Sequence, residues 1–415
     1  MRLVPGVLAE FGGIVRHWDG PAVLARFNRS STVRMDLINL YDYEARAKQV
    51  LPHSHWEHLE AGAMDGLTTA RNRSALEALT LRPRFMRDVT ERKISTTVLG
   101  TDISFPVMIS PADGHATAHP EGERATARGA GMSNTLMMCS TNSNNSMEEI
   151  AEVATGPLWF QLAHRGYNFT ENLVKRAEAA GFRAIVLTID APILIPTERA
   201  VRSRFQRPGE YGNFREHQHL VSGVSGGDET PPWKPLRCAP LTWKELDWLR
   251  SLTKLPLVLK GVRVAEDARR AVESGVDGIL VSTHGGRRFD GDMSSIEVLP
   301  EVVAATQGKA EVYVDSGIRR GTDVLKALAL GARAVAVGRP LFWGLAVNGA
   351  QGVHHMLELL REEFDRAMVY CGQHSVDQLE DRLLNIPRDW GPFRTENDIA
   401  GHVPFPRETG QFDRL

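Results

Sequence analysis

Ionisable side chains follow several short apolar runs in this chain, and their types suit proton transfer and anion binding. His284 lies in the segment Thr-His-Gly-Gly-Arg, three residues before Arg287. A histidine can accept a proton near neutral pH, and an arginine can hold a carboxylate through two hydrogen bonds. A lone histidine is usually structural, but the neighbouring glycines and arginine favour a chemical role for this one.

Asp190 and Lys260 end two other apolar runs. If Asp190 lies close to His284, it stabilises the imidazolium that forms when His284 takes a proton. Lys260 could stabilise negative charge that develops during a reaction, or it could simply form a salt bridge.

Two glycine-containing turns near the end of the pattern indicate a phosphate site. They are Asp315-Ser-Gly-Ile-Arg-Arg-Gly321 and the end of Ala334-Val-Ala-Val-Gly-Arg339. Backbone amides in such turns and at helix N-termini bind phosphate, and Arg319 and Arg339 add positive charge. Plain turns with solvated arginines are the alternative, and the position of both turns in the predicted fold disfavours it.

From residue 106 onward, apolar runs alternate with helical patterns, which predicts an α/β protein with a closed (β/α)8 barrel, or TIM barrel. The eight runs are residues 106–110, 134–140, 157–162, 184–190, 255–261, 278–283, 311–317 and 334–340. An open doubly wound sheet is the alternative, and the count of eight disfavours it. In a barrel the carboxyl ends of the strands meet at one face, where active sites lie.

The other segments predict the organisation around the barrel. We expect an N-terminal helical extension over residues 1–100 that packs on the barrel, the barrel over 101–385 and a C-terminal tail over 386–415. Residues 199–241 lack periodicity and contain Gly and Pro clusters, which predicts a long flexible loop after strand 4, over the catalytic face. A disordered insertion without function is the alternative for this loop.

Composition and charge exclude several classes of protein. The 415 residues carry a formal net charge of −2, which gives no case for binding nucleic acid or an anionic membrane. No apolar run predicts a membrane span, and residues 1–20 lack the apolar centre of a secretory signal. The three separated cysteines predict a reducing, cytoplasmic environment. No metal site is expected, and we interpret His53, His55 and His58 as an exposed polar helix face.

Longer stretches resemble the FMN-dependent 2-hydroxy-acid oxidases and dehydrogenases, the family of the glycolate and lactate oxidases. The resemblance runs from about Tyr41 to near Asp377. Specific stretches include Leu-Lys-Gly-Val (259–262), Val-Ser-Thr-His-Gly-Gly-Arg (281–287) and Gly-Ile-Arg-Arg-Gly-Thr-Asp (317–323), and the match is strong over residues 326–332 and 337–340. It implies bound FMN, a small-molecule substrate and a homo-oligomer, because members of this family are often tetramers.

The resemblance also implies roles for individual residues. His284 is expected to be the base, Asp190 its partner, Arg287 the carboxylate clamp, Tyr43 a substrate contact and Lys260 a stabiliser of the reduced flavin. The flavin ring and ribityl chain are expected to contact Pro111, Ala112, Asp113, Ser140, Gln161, Thr188, Lys260 and Ser282. The ribityl and phosphate end is expected to contact Asp315, Gly317, Arg319, Gly338 and Arg339.

Several positions depart from the family pattern. Ala163 stands where a Tyr is usual, Thr197 where a second carboxylate-binding Arg is usual, Asn142 where an aromatic residue is common and Thr283 where an Asn is usual. Asp113 replaces a small residue near flavin N5. These departures predict an enlarged substrate pocket, in which Arg199 could replace the missing Arg. Asp113 could attract an amine-bearing substrate or shift flavin reactivity, or it could face away and cap a turn.

We therefore predict an FMN-dependent oxidoreductase that oxidises a 2-hydroxy acid or a related 2-substituted acid at its α-carbon. In this prediction His284 is the base, flavin N5 accepts the hydride and oxygen is the oxidant. The alternatives are an FMN oxidoreductase acting on an amine, an amino-acid-derived or a larger biosynthetic substrate, a non-redox FMN barrel isomerase, and a flavin-binding protein without catalysis.

Overall fold

Eight parallel strands close into a barrel, which confirms the predicted (β/α)8 fold. The structure is a computed structural model that describes residues 37–194, 196–217, 236–237, 241–387 and 390. In chain order its strands are β1 (Thr80–Leu81), β2 (Thr96–Val98), β3 (Thr101–Ile103), β4 (Val107–Ile109), β5 (Met137–Ser140), β6 (Leu158–Leu162), β7 (Ile185–Thr188), β8 (Ile193–Leu194), β9 (Leu236–Arg237), β10 (Leu257–Val262), β11 (Gly278–Val281), β12 (Glu311–Val314), β13 (Ala334–Val337) and β14 (Leu384–Asn385). The barrel order is β4-β5-β6-β7-β10-β11-β12-β13, and β13 pairs with β4 to complete it.

Helices precede, separate and follow the barrel strands along the chain. They are α1 (Leu40–Val50), α2 (His53–Glu60), α3 (Leu67–Ala78), α4 (Gly122–Met132), α5 (Met147–Val153), α6 (Tyr167–Ala179), α7 (Glu198–Arg202), α8 (Trp243–Leu252), α9 (Ala265–Glu273), α10 (Ser295–Thr306), α11 (Gly321–Ala329) and α12 (Arg339–Tyr370). Capping boxes start α5 and α10, where the side chains of Ser146 and Ser294 accept backbone amide hydrogens inside the first turn. Such caps end the preceding loop at a defined residue.

Two apolar layers hold the barrel together. The inner layer fills the barrel and includes Trp159 of β6 and Tyr313 of β12, whose ring centroids lie 5.6 Å apart. The outer layer lies between the strands and the helices and includes Leu158 and Phe160, the neighbours of Trp159. Because alternate residues of a strand enter different apolar layers, the strands appear in the sequence as unbroken apolar runs.

The segment before the barrel is integrated with it. The antiparallel pair β2–β3 contributes Val98 and Ile103 to the inner layer. Strand β1 pairs with β14, which joins residues 80–81 to 384–385. The predicted N-terminal helical extension includes α1 and α2, which are separated at Leu51-Pro52. This break lets α2 take a separate course from α1.

Residues 196–217, which we call the strap, contain α7 and a packed segment. The buried Asn213 side chain donates hydrogen bonds to the carbonyl oxygens of Ser140 and Thr141. The Asn144 amide donates to the carbonyl oxygens of Pro208 and Glu210. The predicted flexible loop 199–241 therefore begins with an ordered stretch held against the loop after β5. Residues 218–235 and 238–240 of that loop lie outside the described residues.

Several predictions concern residues that the structure does not describe. The N-terminal residues 1–20, nearly all of the predicted tail 386–415 and Cys238 belong to this group. Within the described ranges, no helix has the length and apolar character needed to cross a membrane. The same ranges contain no cluster of three or more His, Cys, Asp or Glu suited to a metal ion. Cys139 and Cys371 are free and buried.

Candidate active site

A cavity of about 1060 Å³ lies at the carboxyl ends of the barrel strands and contains most of the predicted site residues. Those that line it are Pro111, Ala112, Asp113, Gln161, Thr188, Lys260, His284, Arg287, Asp315, Gly317, Arg319, Gly338 and Arg339. Three more predicted residues, Ser140, Asp190 and Ser282, are hydrogen-bonded directly to the lining. The strand ends therefore converge as the barrel geometry requires.

His284 and Asp190 form a hydrogen-bonded pair. Nδ1 of His284 lies 3.0 Å from Oδ1 of Asp190, whose side chain is only 2% exposed. Burial disfavours the charged carboxylate, but Lys260 and His284 outweigh it and hold the pKa of Asp190 below its usual range. Burial and Lys260 lower the pKa of His284, against the opposing effect of Asp190. Because the ionised Asp190 can only accept, Nδ1 carries the hydrogen and Nε2 is the proton acceptor.

Two residues with positive φ, Gly261 and His284, make room for this pair. Gly261 has φ +108° beside a register shift in β10, and a Cβ added there would lie 2.6 Å from the Cβ of Asp190. His284 itself has φ +54°. Left-handed backbone at a non-glycine residue is uncommon and concentrates at functional sites. The local backbone thus turns the imidazole toward the cavity and leaves room for the carboxylate.

Lys260 places a positive charge among the strand ends. Its Nζ donates to Oγ of Ser282 at 2.9 Å and lies 3.9 Å from carboxylate oxygens of both Asp190 and Asp315. The side chain is 3% exposed. The salt-bridge interpretation and the charge-stabilising interpretation are thus compatible, because the same ammonium group contacts two carboxylates and lines the cavity.

The end of the cavity near β12 and β13 is suited to a phosphate. Burial and the neighbouring Arg339 lower the pKa of Arg319 to about 10. Gly317 has φ +89°, and an added Cβ would lie 2.4 Å from the carbonyl oxygen of Asn72. A Cβ added to Gly338 would meet nothing within 4 Å. Two guanidinium groups next to an unobstructed glycine provide the charge and the space that a phosphate needs.

Arg287 is held in place by the carboxyl end of α2. Its Nη1 donates to the carbonyl oxygens of His58, Leu59 and Ala61, at 2.9, 3.1 and 2.9 Å. Burial and Arg339 lower its pKa to about 9. Among the described residues, hydrogen bonds engage only Nη1, so Nε and Nη2 remain to bind a ligand carboxylate in a fork.

Asp113 faces the cavity and does not simply cap a turn. Its carboxylate accepts hydrogen bonds from Oγ of Ser140 and, at 3.1 Å, from Nδ2 of Asn142. Burial opposes the charge, but Arg207 and these hydrogen bonds lower its pKa to about 2. Asp113 is exposed, and it lines the cavity. A carboxylate with two donors and a neighbouring cation has little capacity left for an amine-bearing substrate.

Tyr43 was expected to contact the substrate, and the structure places it elsewhere. Its side chain is completely buried, and its hydroxyl lies 2.7 Å from Nδ1 of His355 in α12. It is absent from the cavity lining. Because α1 ends before Pro52, the chain first lines the cavity in α2, at His58, fifteen residues after Tyr43.

His58 of α2 occupies the cavity wall instead, so the expected exposed histidine face is wrong for this residue. Its ring stacks on that of Phe205 at 3.8 Å between centroids, and it lines the cavity. Burial and Arg287 lower its pKa to about 3, so the ring is neutral. The signal that could have identified it is Pro52, which restarts the helix and aims its last turn at the barrel mouth.

Arg199 does not replace the missing second arginine. Its guanidinium makes a two-pronged contact with the carboxylate of Glu57, at 2.7 and 3.0 Å. It is not part of the cavity lining, whereas Thr197 is. The strap instead brings Phe205 and Arg207 to the cavity, and neither could be assigned from an aperiodic sequence. Ala163 and Asn142 also line the cavity, as the enlarged pocket requires.

This arrangement can bind an acid and remove a proton from it. Arg287 offers a fork to a carboxylate, and the neutral His284, backed by Asp190, offers a proton acceptor in the same cavity. The cationic end near Arg319 offers a separate position for a phosphate. The cavity can therefore hold a phosphate-bearing cofactor and a small acid together.

Comparison with known proteins gives a consistent result. The family model described as FMN-dependent dehydrogenase matches residues 47–386. The L-lactate oxidase of Nostoc sp. is 44% identical over 361 residues, which cover 84% of this chain and 98% of the relative. The glycolate oxidase of Spinacia oleracea is 41% identical over 372 residues, with 86% and 98% covered. A crystal structure of mandelate oxidase with (S)-2-phenylpropionate matches with a TM-score of 0.76 at 41% identity, covering 84% of this chain and 98% of that one.

Proposed function

The chain belongs to the family of FMN-dependent dehydrogenases, and from that premise we propose that it oxidises the α-carbon of a 2-hydroxy acid to the corresponding 2-oxo acid. Relatives named as lactate, glycolate and mandelate oxidases support this substrate class. The observation that carries the proposal is the His284–Asp190 pair in one cavity with Arg287. Oxygen is the oxidant we propose, because these relatives are named as oxidases.

FMN fits the cavity by charge and by shape. Its phosphate would be held by Arg319 and Arg339 beside Gly338, where an added Cβ would meet no atom. Gln161, Thr188 and Lys260 would hold the rest of the group along the strand ends. When bound, FMN supplies a ring that accepts a hydride equivalent from the substrate.

The chain's own residues bind the acid and move its proton. Arg287 binds the substrate carboxylate, and its rigid attachment to α2 fixes the position of the α-carbon. Nε2 of His284 removes the proton from the substrate, and Asp190 stabilises the resulting imidazolium. Lys260 supplies a fixed positive charge where negative charge develops. The strap covers the cavity and reduces the access of water.

Anaerobic reduction of the flavin tests this proposal. The purified protein is loaded with FMN and mixed with lactate, glycolate, mandelate and longer 2-hydroxy acids, and the flavin absorbance is followed. We expect bleaching with at least one of these acids and recovery of the colour when oxygen is admitted. His284→Ala should retain FMN and lose the bleaching. A protein that binds FMN but is reduced by none of these acids contradicts the proposed substrate class.

We also propose that the protein acts as a homotetramer in the cytoplasm. The large apolar side chains of Met64, Leu67, Phe289 and Met293 are exposed on two segments that a hydrogen bond from Leu67 to Asp290 brings together, which supports the association. The free, buried Cys139 and Cys371 support a reducing compartment. Light scattering should give about four times the 45.9 kDa chain mass, and cell fractionation should recover the protein with cytosolic markers. A monomer, or recovery in an organelle, contradicts the respective proposal.

A further inference from the structure

The cavity carries more positive charge than the proposed reaction requires. Eight of its lining side chains are Lys or Arg and two are Asp. Two further carboxylates contact the lining: Asp190, 3.0 Å from His284, and Glu60, 3.7 Å from Arg339. Four positive charges are therefore unbalanced when the histidines are neutral. A phosphate monoester contributes about two negative charges, and one substrate carboxylate contributes one. About one positive charge then remains without a counterion.

Arg288 is the clearest of the unbalanced cations. It lines the cavity immediately after Arg287. Its buried Nε has no hydrogen-bond partner among the described residues. It is close enough to Asp190, His284 and Asp113 to influence the ionisation of all three. The guanidinium thus lies next to the proposed reaction centre, and no carboxylate of the described residues is bound to it.

Two further arginines line the cavity in a similar state. Nε of Arg207 and Nε of Arg165 are buried and have no hydrogen-bond partner within the described part of the chain. Arg207 is held by its Nη2, which donates to the carbonyl oxygen of Asn142, and by contact with the Tyr211 ring at 4.0 Å. Arg165 follows β6. Leaving buried charged donors unpaired is costly, so a ligand group or water must complete them.

We propose that this cavity binds a second anionic group on the substrate, held by Arg288 and Arg207 with Arg165, so that the substrate is a 2-hydroxy acid whose side chain carries a carboxylate or a phosphate. This inference rests on the proposed function, which supplies the first carboxylate at Arg287. The space left by Ala163 and Asn142 accommodates the longer substrate. Asp113 does not balance these cations, because its charge is already included in the count.

Matched substrate pairs test the inference on the FMN-loaded enzyme. One pair is 2-hydroxyglutarate and 2-hydroxypentanoate, which share a five-carbon chain and differ in the distal carboxylate. The other is 3-phosphoglycerate and glycerate, which differ in a phosphate. We expect kcat/KM to favour the doubly acidic member of at least one pair by about 10- to 100-fold, mainly through KM. The pair that shows the preference identifies the distal group.

Arg288→Gln separates a specific site from a general effect of charge. Because Arg288 also influences His284 and Asp190, the readout is the ratio of the two substrates: we expect kcat/KM for the preferred diacid to fall about 10- to 100-fold more than that for its monoacid partner. Arg202→Gln is the control, since Arg202 is exposed on α7, pairs with Glu198 and lies outside the cavity. Equal kcat/KM within both pairs, or an equal loss for both members in Arg288→Gln, overturns the inference.

A binding measurement distinguishes this failure from failure of the proposed function. Calorimetry compares 2-oxoglutarate with 2-oxopentanoate on the same FMN-loaded protein and on Arg288→Gln. Tighter, Arg288-dependent binding of 2-oxoglutarate without oxidation of any 2-hydroxy acid supports the second anion site and overturns the proposed reaction. Oxidation of monoacids with no charge preference in binding or turnover overturns only the second anion site.

Discussion

At the residue scale, proton transfer depends on a carboxylate that the backbone barely accommodates. Asp190 lies against Gly261, whose φ of +108° and missing Cβ create the necessary space. Its partner His284 occupies left-handed backbone. Such strain is retained only where surrounding contacts hold it, and here Ser282 and Asp190 both hold His284. The His284–Asp190 pair thus depends on the backbone conformations of Gly261 and His284 as well as on the two side chains.

Gly261→Ala should displace Asp190 and disable His284. We expect kcat/KM to fall by about 100-fold or more, because a histidine base without its oriented carboxylate loses most of its activity. Steady-state kinetics with the best 2-hydroxy acid measure the effect. Gly181→Ala is the matched control, since Gly181 also has positive φ but an added Cβ there meets nothing within 4 Å. Equal losses in the two variants would show that backbone strain alone is responsible.

The pH dependence should reflect a histidine that stays neutral. Burial and Lys260 lower the pKa of His284 from its ordinary value of 6.5, and only the neutral form can accept a proton. Activity should therefore be retained from neutral pH down to pH 6.5 and be lost at lower pH as His284 becomes protonated. Lys260→Met removes a positive charge that lowers the pKa of His284. The acid limb of the pH profile of kcat/KM should therefore move to higher pH. A limb that moves to lower pH in this variant contradicts the assignment of His284 as the base.

At the scale of the elements, the strap closes the cavity through a small number of buried amides. The Asn213 side chain accepts the amide hydrogen of Met147 and donates to the carbonyl oxygens of Ser140 and Thr141. Asn144 also holds the strap, by donating to the carbonyl oxygens of Pro208 and Glu210. Because Phe205 and Arg207 line the cavity from this segment, its attachment also sets the shape of the site.

Asn213→Ala should loosen the strap. The free energy of unfolding should fall by about 2–4 kcal/mol, because several buried polar groups lose their partner. Trypsin should cut faster after Arg204 or Arg207, and KM should rise more than kcat falls. Urea unfolding, limited proteolysis and kinetics measure these effects. Asn168→Ala, at an exposed position of α6, is the control and should behave as the unmodified protein. Unchanged proteolysis in Asn213→Ala contradicts the anchoring role.

At the scale of the whole molecule, cofactor binding and stability should be linked. The cationic lining repels itself: burial and Arg339 lower the pKa values of both Arg287 and Arg319. An anionic ligand relieves this repulsion, so the folded chain binds FMN while the unfolded chain does not. FMN at about one hundred times its Kd should stabilise the protein by about 2.7 kcal/mol.

Arg319→Gln should weaken that stabilisation. Loss of one charge-assisted contact with the phosphate should raise the Kd for FMN about 10- to 100-fold and reduce the FMN-dependent rise in Tm. Flavin fluorescence quenching and thermal unfolding measure the two quantities. Arg320→Gln is the neighbouring control, since Arg320 pairs with Glu363 outside the cavity. Equal FMN affinity in the two variants contradicts the phosphate role of Arg319.

The barrel and half of its site could be predicted because they depend on local pattern. Parallel strands buried on both faces are unbroken apolar runs, and active-site residues follow such runs directly. His284, Arg287, Asp190 and Lys260 were therefore identifiable from position alone. Tyr43 and Arg199 were misplaced, because their contacts with His355 and Glu57 join distant parts of the chain and leave no periodic signal.

The sequence by itself determined the fold, the family and the strand-end chemistry, since short-range patterning and side-chain type decide them. Only the tertiary structure decided that His58 faces the cavity and that Asp113 is already satisfied by Ser140 and Asn142. It also decided that Nε of Arg288 and Nε of Arg207 are buried without a hydrogen-bond partner among the described residues. The physical reason is that the burial, the pairing and the net charge of a cavity depend on residues that are far apart in the sequence and meet only on folding. No single segment of the chain therefore predicts them.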